Sequence, residues 1–122
     1  MKIKTAQLIG VALDWAVAKC EGFKYELYEH NRKKWENGPY RPRHWQPSTD
    51  WSQGGPLLNQ HKISRTINHS GLWIAYAGYT LNDEQRHMQC DRSELVAGLR
   101  CLVALNLGDE VDVPDELVEA KP

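Results

Sequence analysis

Ser93-Glu94-Leu95-Val96-Ala97-Gly98-Leu99-Arg100-Cys101-Leu102-Val103-Ala104-Leu105-Asn106-Leu107 is the stretch from which the fold is most readily read. Leu95, Leu99, Leu102, Val103 and Leu107 fall on one side of a 3.6-residue period, which predicts a helix over about 93–107 with an apolar stripe. Asp91 or Ser93 can cap its start, and Glu94 lies in the first turn, where the helix dipole favours an anion. Asn106 is on the polar side, and Gly108 is a natural stop.

Working outward, Ile63–Ile67 and Leu72–Ala77 read as strands, and Asn68-His69-Ser70-Gly71 between them reads as a turn, so the pair predicts an antiparallel hairpin. Leu57-Leu58 also suggests strand, and Asn82–His87 reads as a polar connection. Near the start, Thr5 is a candidate cap for a helix from Ala6 to Cys20, with Gly22 as its stop. Leu8, Val11, Ala12, Trp15 and Ala18 share a stripe, and Ile9, Leu13, Ala16, Val17 and Cys20 widen it, so this helix should be covered on more than one side. Phe23–Tyr28 alternates as a half-buried strand would, with a short helix as the competing reading. Residues 30–44 are polar, carry Asn37-Gly38-Pro39 and Pro42, and read as a loop. Val113–Leu117 could begin a short helix with Pro114 at its first position. The fold class that follows is α+β: two main helices, about 6–20 and 93–107, packed with a small antiparallel sheet and long irregular loops. The expected organisation is a single domain over 1–122, with 109–122 an acidic tail or short helix.

With 122 residues, 41% hydrophobic and 25% charged, the chain is long and apolar enough to bury a core without staples. The net charge is −1, but residues 109–122 hold six acids and one lysine, so residues 1–108 stand at +4. That is far from the basic footprint of a dedicated nucleic-acid binder. Cys20, Cys90 and Cys101 are odd in number and form no CxxC pair; they read as reduced thiols, with Cys20 and Cys101 packing as small hydrophobes. The apolar start is short, interrupted by Asp14, and lacks a small-residue cleavage site, which predicts neither signal peptide nor membrane span.

The richest candidate for function is Pro47-Ser48-Thr49-Asp50-Trp51-Ser52-Gln53-Gly54-Gly55-Pro56, read as a loop. Ser48, Thr49, Asp50 and Gln53 offer hydrogen-bonding groups, Gly54-Gly55 allows close backbone approach, and Trp51 and Trp45 offer surfaces on which a base could stack. These are parts of a pocket for a small polar aromatic ligand such as a nucleotide. The competing reading is a turn whose polar groups cap their own backbone while Trp51 anchors it. It is not a phosphate-binding P-loop, because no Lys-Ser/Thr follows the glycines and Pro56 removes a donor. GxGxxG is also absent.

In the 30–44 insert, Arg32, Lys33, Lys34, Arg41 and Arg43 face one acid, Glu36, with Trp35, Tyr40 and Trp45 interleaved. Arg41 and Arg43 are candidates for phosphate contact, although a solvated loop explains the same composition. The five histidines form no HxH or HExxH spacing, so neither a metal nor a cofactor is expected. The serines lack a GxSxG setting, so no catalytic residue is assigned. Asp14 beside Trp15 reads as exposed on the polar face of the first helix; if it turns inward it needs a partner such as an arginine or a hydroxyl, with Arg100 the candidate.

Three segments carry a family resemblance. They run from Met1-Lys2-Ile3-Lys4-Thr5 through Ala12-Leu13-Asp14-Trp15 to Gly22, across the Pro47–Pro56 stretch, and from Gly98-Leu99-Arg100-Cys101 through Leu107-Gly108-Asp109 to Pro114. In that order they make the chain resemble the NinX-type proteins of lambdoid phages and prophages. It departs at Cys90-Asp91-Arg92-Ser93, where that family usually has a Pro-Thr-like step. The resemblance implies an accessory protein made in the cytoplasm of a bacterial host, and it transfers no catalytic residues. Accessory genes of this kind are associated with counter-defence or host takeover. The expected function is therefore a binding module that sequesters a nucleotide-like host immune signalling molecule. In it Trp51 or Trp45 would stack the base, and Ser48, Thr49, Asp50 and Gln53 would bond ribose or base edges. Gly54-Gly55 would admit the ligand, and Arg41 or Arg43 would meet phosphate. The alternatives are a factor that binds and inhibits a host protein and a weak nucleic-acid binder. No membrane partner is expected, and a homodimer is favoured over a monomer because it would complete the burial of the first helix.

Overall fold

The computed structural model describes residues 1–22, 24–27, 33–36, 45–77 and 86–117. The helix expected at 93–107 is present as Glu94–Leu107, designated α3 when numbered in chain order after α1 (Gly10–Cys20) and α2 (Trp51–Gln60). Ser93 caps α3 by accepting the Val96 N–H at 3.2 Å, and Asp91 accepts the Ser93 N–H in turn. Every residue from Leu95 to Ala104 is buried. A helix buried all round must be packed on several sides, and α3 meets α1, α2 and a sheet.

That sheet has three strands, β4 (Ile63–Ile67), β5 (Trp73–Ala77) and β6 (Arg86–Asp91), in the order β4-β5-β6 and all antiparallel. The expected hairpin is there, its turn held by the Asn68 side chain, which accepts from the N–H groups of Ser70 and Leu72. β6 corrects the polar connection expected through His87, since residues 86–91 pair with β5. Two smaller pairs complete the sheets among the described residues. β2 (Lys24–Leu27) pairs with β3 (Lys33–Glu36), which bears out the strand after Gly22 and corrects the loop expected throughout 30–44. β1 (Lys2–Lys4) pairs with β7 (Glu110–Asp112), so the stretch taken as tail begins with a strand. A 3-10 turn follows at Asp115–Leu117, where a short helix was expected.

The first helix starts four residues later than expected. Thr5 does not cap it: Thr5 is fully buried in a 3-10 turn, donating its hydroxyl to the Gly108 carbonyl at 2.7 Å and its N–H to Asp109. Ile9 and Val11, counted as core, lie before and at the exposed start of α1 and are 61% and 47% exposed. Residues 12–18 of α1 are all buried, as a helix covered on more than one side requires. Both predicted stops hold: Gly22 and Gly108 have φ of +88° and +94°, which favour glycine.

The largest correction is α2. Residues 51–60, read as loop and strand, are helical through Gly54, Gly55, Pro56, Leu57 and Leu58. Proline inside a helix costs about 3 kcal/mol and glycine about 1 kcal/mol relative to alanine, so local propensity opposes this helix and packing must supply the difference. Leu58 is fully buried against Gly98 of α3, where an added Cβ would lie 2.7 Å from the Leu58 Cδ1. The missing side chain at Gly98 is thus the seat for Leu58.

Candidate functional site

The candidate residues at 45–55 form a turn and the first part of α2. Gln46 organises the turn: its carbonyl accepts the N–H groups of Thr49 and Asp50 at 3.1 and 3.0 Å, and its N–H donates to the Gln53 amide oxygen at 2.8 Å. The Thr49 hydroxyl donates to the same Gln46 carbonyl at 3.4 Å. Asp50 caps α2. One carboxylate oxygen accepts the Ser52 N–H at 2.9 Å and the Ser52 hydroxyl at 2.6 Å, and the other accepts from the Gln53 amide at 3.3 Å. Donation by Ser52, side chain first and then backbone, holds the Asp50 carboxyl below its ordinary range.

Gly54 and Gly55 are buried, and each place a side chain would take is already filled. At Gly54 an added Cβ would collide with the Pro47 carbonyl oxygen and lie 2.8 Å from Leu95; at Gly55 it would lie 2.6 Å from the Trp51 ring. The close approach that these glycines permit is to the protein itself. Trp51 rests its benzenoid edge on Gly55 and remains 48% exposed, while Trp45 is buried. The two tryptophans are therefore not equivalent stacking surfaces.

Trp45 and Ser48 instead meet Asp14. The Trp45 indole N–H donates to the Asp14 main-chain carbonyl at 2.8 Å, and the Ser48 N–H donates to the Asp14 carboxylate at 2.8 Å. Asp14 is buried at 5% exposure, so the expectation of an exposed carboxylate is overturned. The Arg100 partnership is overturned as well. Arg100 donates to the carbonyls of Leu8 and Cys90 and to the Asp91 carboxylate, at 2.7, 3.1 and 3.2 Å. Burial raises the Asp14 pKa to about 6, against the pull of the Ser48 N–H and hydroxyl. The Ser48 hydroxyl lies close enough to favour the charged form, yet its buried Oγ makes no hydrogen bond of good geometry.

Trp15, buried, lies under the Lys19 ammonium, 5.1 Å from the ring centre. Arg41 and Arg43 lie outside the described residues. The structure thus brings Asp14, Trp45 and Ser48 into one buried junction and Asp50 and Gln53 into one surface cap, with Thr49 and Trp51 exposed beside them. Sequence reasoning missed Gln46 and Ser52, the partners that close the turn. The signal was available: Asp50-Trp51-Ser52-Gln53 has the spacing of a capping box, an acceptor at the cap and a glutamine three residues on.

Burial pushes the thiols of Cys20 and Cys101 up to about 12, so both are protonated near neutral pH and pack as hydrophobes. Among the described residues no cluster of His, Cys, Asp or Glu could hold a metal ion, and no helix is long and apolar enough to cross a membrane. Residues 4–106 match the family model described as Bacteriophage P22, NinX. No curated protein matches the chain.

Proposed function

The chain belongs to the NinX family of bacteriophage P22, and from that premise we propose that this phage accessory protein acts by binding, with Trp51 as the centre of its contact surface. The observation that carries the reading is the placement of Trp51. A large aromatic ring on the first turn of a helix is held against Gly55 and still leaves about half its surface open. Held rings stack planar partners at low entropic cost, and base–aromatic stacking contributes about 1–3 kcal/mol. The ligand class is a nucleotide-like molecule, with the counter-defence setting of such phage genes pointing to a host signalling nucleotide kept from its receptor. Of the two tryptophans beside the turn, stacking falls to Trp51, because Trp45 is buried. Thr49 and the exposed edge of Asp50 are the polar groups at hand beside it, and Arg41 or Arg43 would supply cation to phosphate. Sequestration needs no reactive group, only affinity and enough protein.

Titration calorimetry against a panel of cyclic and linear nucleotides tests this. Heat is expected from at least one, with affinity reduced at least tenfold in Trp51→Ala. No heat from any member, with folded protein, sinks the reading. A second reading, contact with a host protein, draws on the same geometry: the polar groups beside Trp51 bond one another, leaving a preformed patch with a tryptophan at its centre, as binding hot spots often have. It predicts a complex from bacterial lysate that Trp51→Ala abolishes and nucleotides do not displace.

A further inference from the structure

We infer that Asp14, from inside α1, is the positioning residue that fixes the segment Trp45–Asp50 and through it the place of Trp51. The functional consequence rests on Trp51 being the contact surface; the positioning itself does not. Asp14 grips the segment twice, by its main-chain carbonyl on the Trp45 indole and by its carboxylate on the Ser48 N–H, both at 2.8 Å. Between those grips lies Pro47, whose carbonyl occupies the space that a side chain at Gly54 would need. Beyond them, Gln46 and Asp50 bind Gln53 and Ser52 in the first turn of α2. Each link from Asp14 to Trp51 is a hydrogen bond or a close contact, so displacement at one end must be taken up at the other.

The choice of an acid for this task is informative. A buried carboxylate ordinarily has a cation or several donors. Among the described residues, Arg100 is engaged with Leu8, Cys90 and Asp91, Lys19 lies over Trp15, Glu21 pairs with His61, and Asp50 pairs with Ser52 and Gln53. The Ser48 Oγ is left as a spare partner. It can donate to the charged carboxylate or accept from the protonated one, so the grip changes with protonation instead of breaking.

The experiment is fluorine NMR of the full chain labelled with 5-fluorotryptophan, with Trp45→Phe and Trp51→Phe assigning the two signals. In the parent protein both signals are expected to move together with pH, with a midpoint at about 6. Asp14→Asn, which keeps an acceptor for the Ser48 N–H, should leave both signals near their parent positions and abolish that midpoint. Asp14→Ala should shift both signals. A Trp51 signal unmoved in folded Asp14→Ala, or a midpoint that persists in Asp14→Asn, overturns the inference. Should Asp14→Ala not fold, the pH comparison of parent with Asp14→Asn decides alone. Failure of every nucleotide to bind would leave this outcome unchanged, so the two ideas fail separately.

Discussion

At the scale of the residue, Asp14 departs most from its expected behaviour. Its folded pKa of about 6 exceeds its ordinary value of 3.8, so the folded chain holds the proton more tightly than the unfolded one. Folding therefore takes up a proton between those values, and the Asp14 contribution to stability falls as pH rises from about 4 to about 6, then levels off. A shift of about two units corresponds to about 3 kcal/mol. Asp14→Asn is expected to lose this fall and to be up to about 3 kcal/mol more stable than the parent at pH 8, read by urea unfolding across pH. Equal pH slopes in the two proteins would show that Asp14 is not the cause. The sequence showed an acid among apolar neighbours, but which way it faced depended on Ser48, thirty-four residues away.

At the scale of the element, α2 shows packing overruling propensity. Ala is the better helix former than Gly by about 1 kcal/mol, so Gly54→Ala would stabilise an isolated helix. In this fold the added methyl meets the Pro47 carbonyl, a backbone atom in a segment that Asp14 and Gln46 hold in place. Overpacking of this kind costs about 1–3 kcal/mol. Gly54→Ala is expected to be the less stable protein by about 1–2 kcal/mol, with a lower urea midpoint and an unchanged slope; a raised midpoint would refute the account. The pair Gly54-Gly55 with Pro56 hid the helix, because these residues mark loops when read locally. The capping spacing from Asp50 to Gln53 was the contrary signal, and it sat in plain view. By contrast α3 was legible because its period, its cap and its stop all agree.

For the molecule as a whole, Arg100 is a tie between distant parts. Its guanidinium reaches back ninety-two residues to the carbonyl of Leu8, before α1, and ties it to the end of β6. Replacing it with methionine keeps the apolar stem but leaves two carbonyls and the Asp91 carboxylate without this donor. Breaking one side of a buried charged network costs about 3–5 kcal/mol. Arg100→Met should lower the thermal midpoint markedly by circular dichroism, and Arg100→Lys should not restore it, because an ammonium cannot reproduce the spread of a guanidinium. Full stability in either variant would contradict this role.

The sequence by itself determined the elements whose causes are local. These are α3 with its Ser93 cap, the β4–β5 hairpin with its Asn68 turn, the strand after Gly22, and the positive-φ stops at Gly22 and Gly108. Periodicity and backbone sterics act between near neighbours, so they can be read in order along the chain. Tertiary structure alone decided the rest: a helix through Gly54-Gly55-Pro56, the pairing of β1 with β7, the third strand of the sheet, and the burial of Asp14 and Trp45 against each other. Each depends on contact between residues far apart in sequence, where the energy of burial and pairing exceeds what local preference opposes.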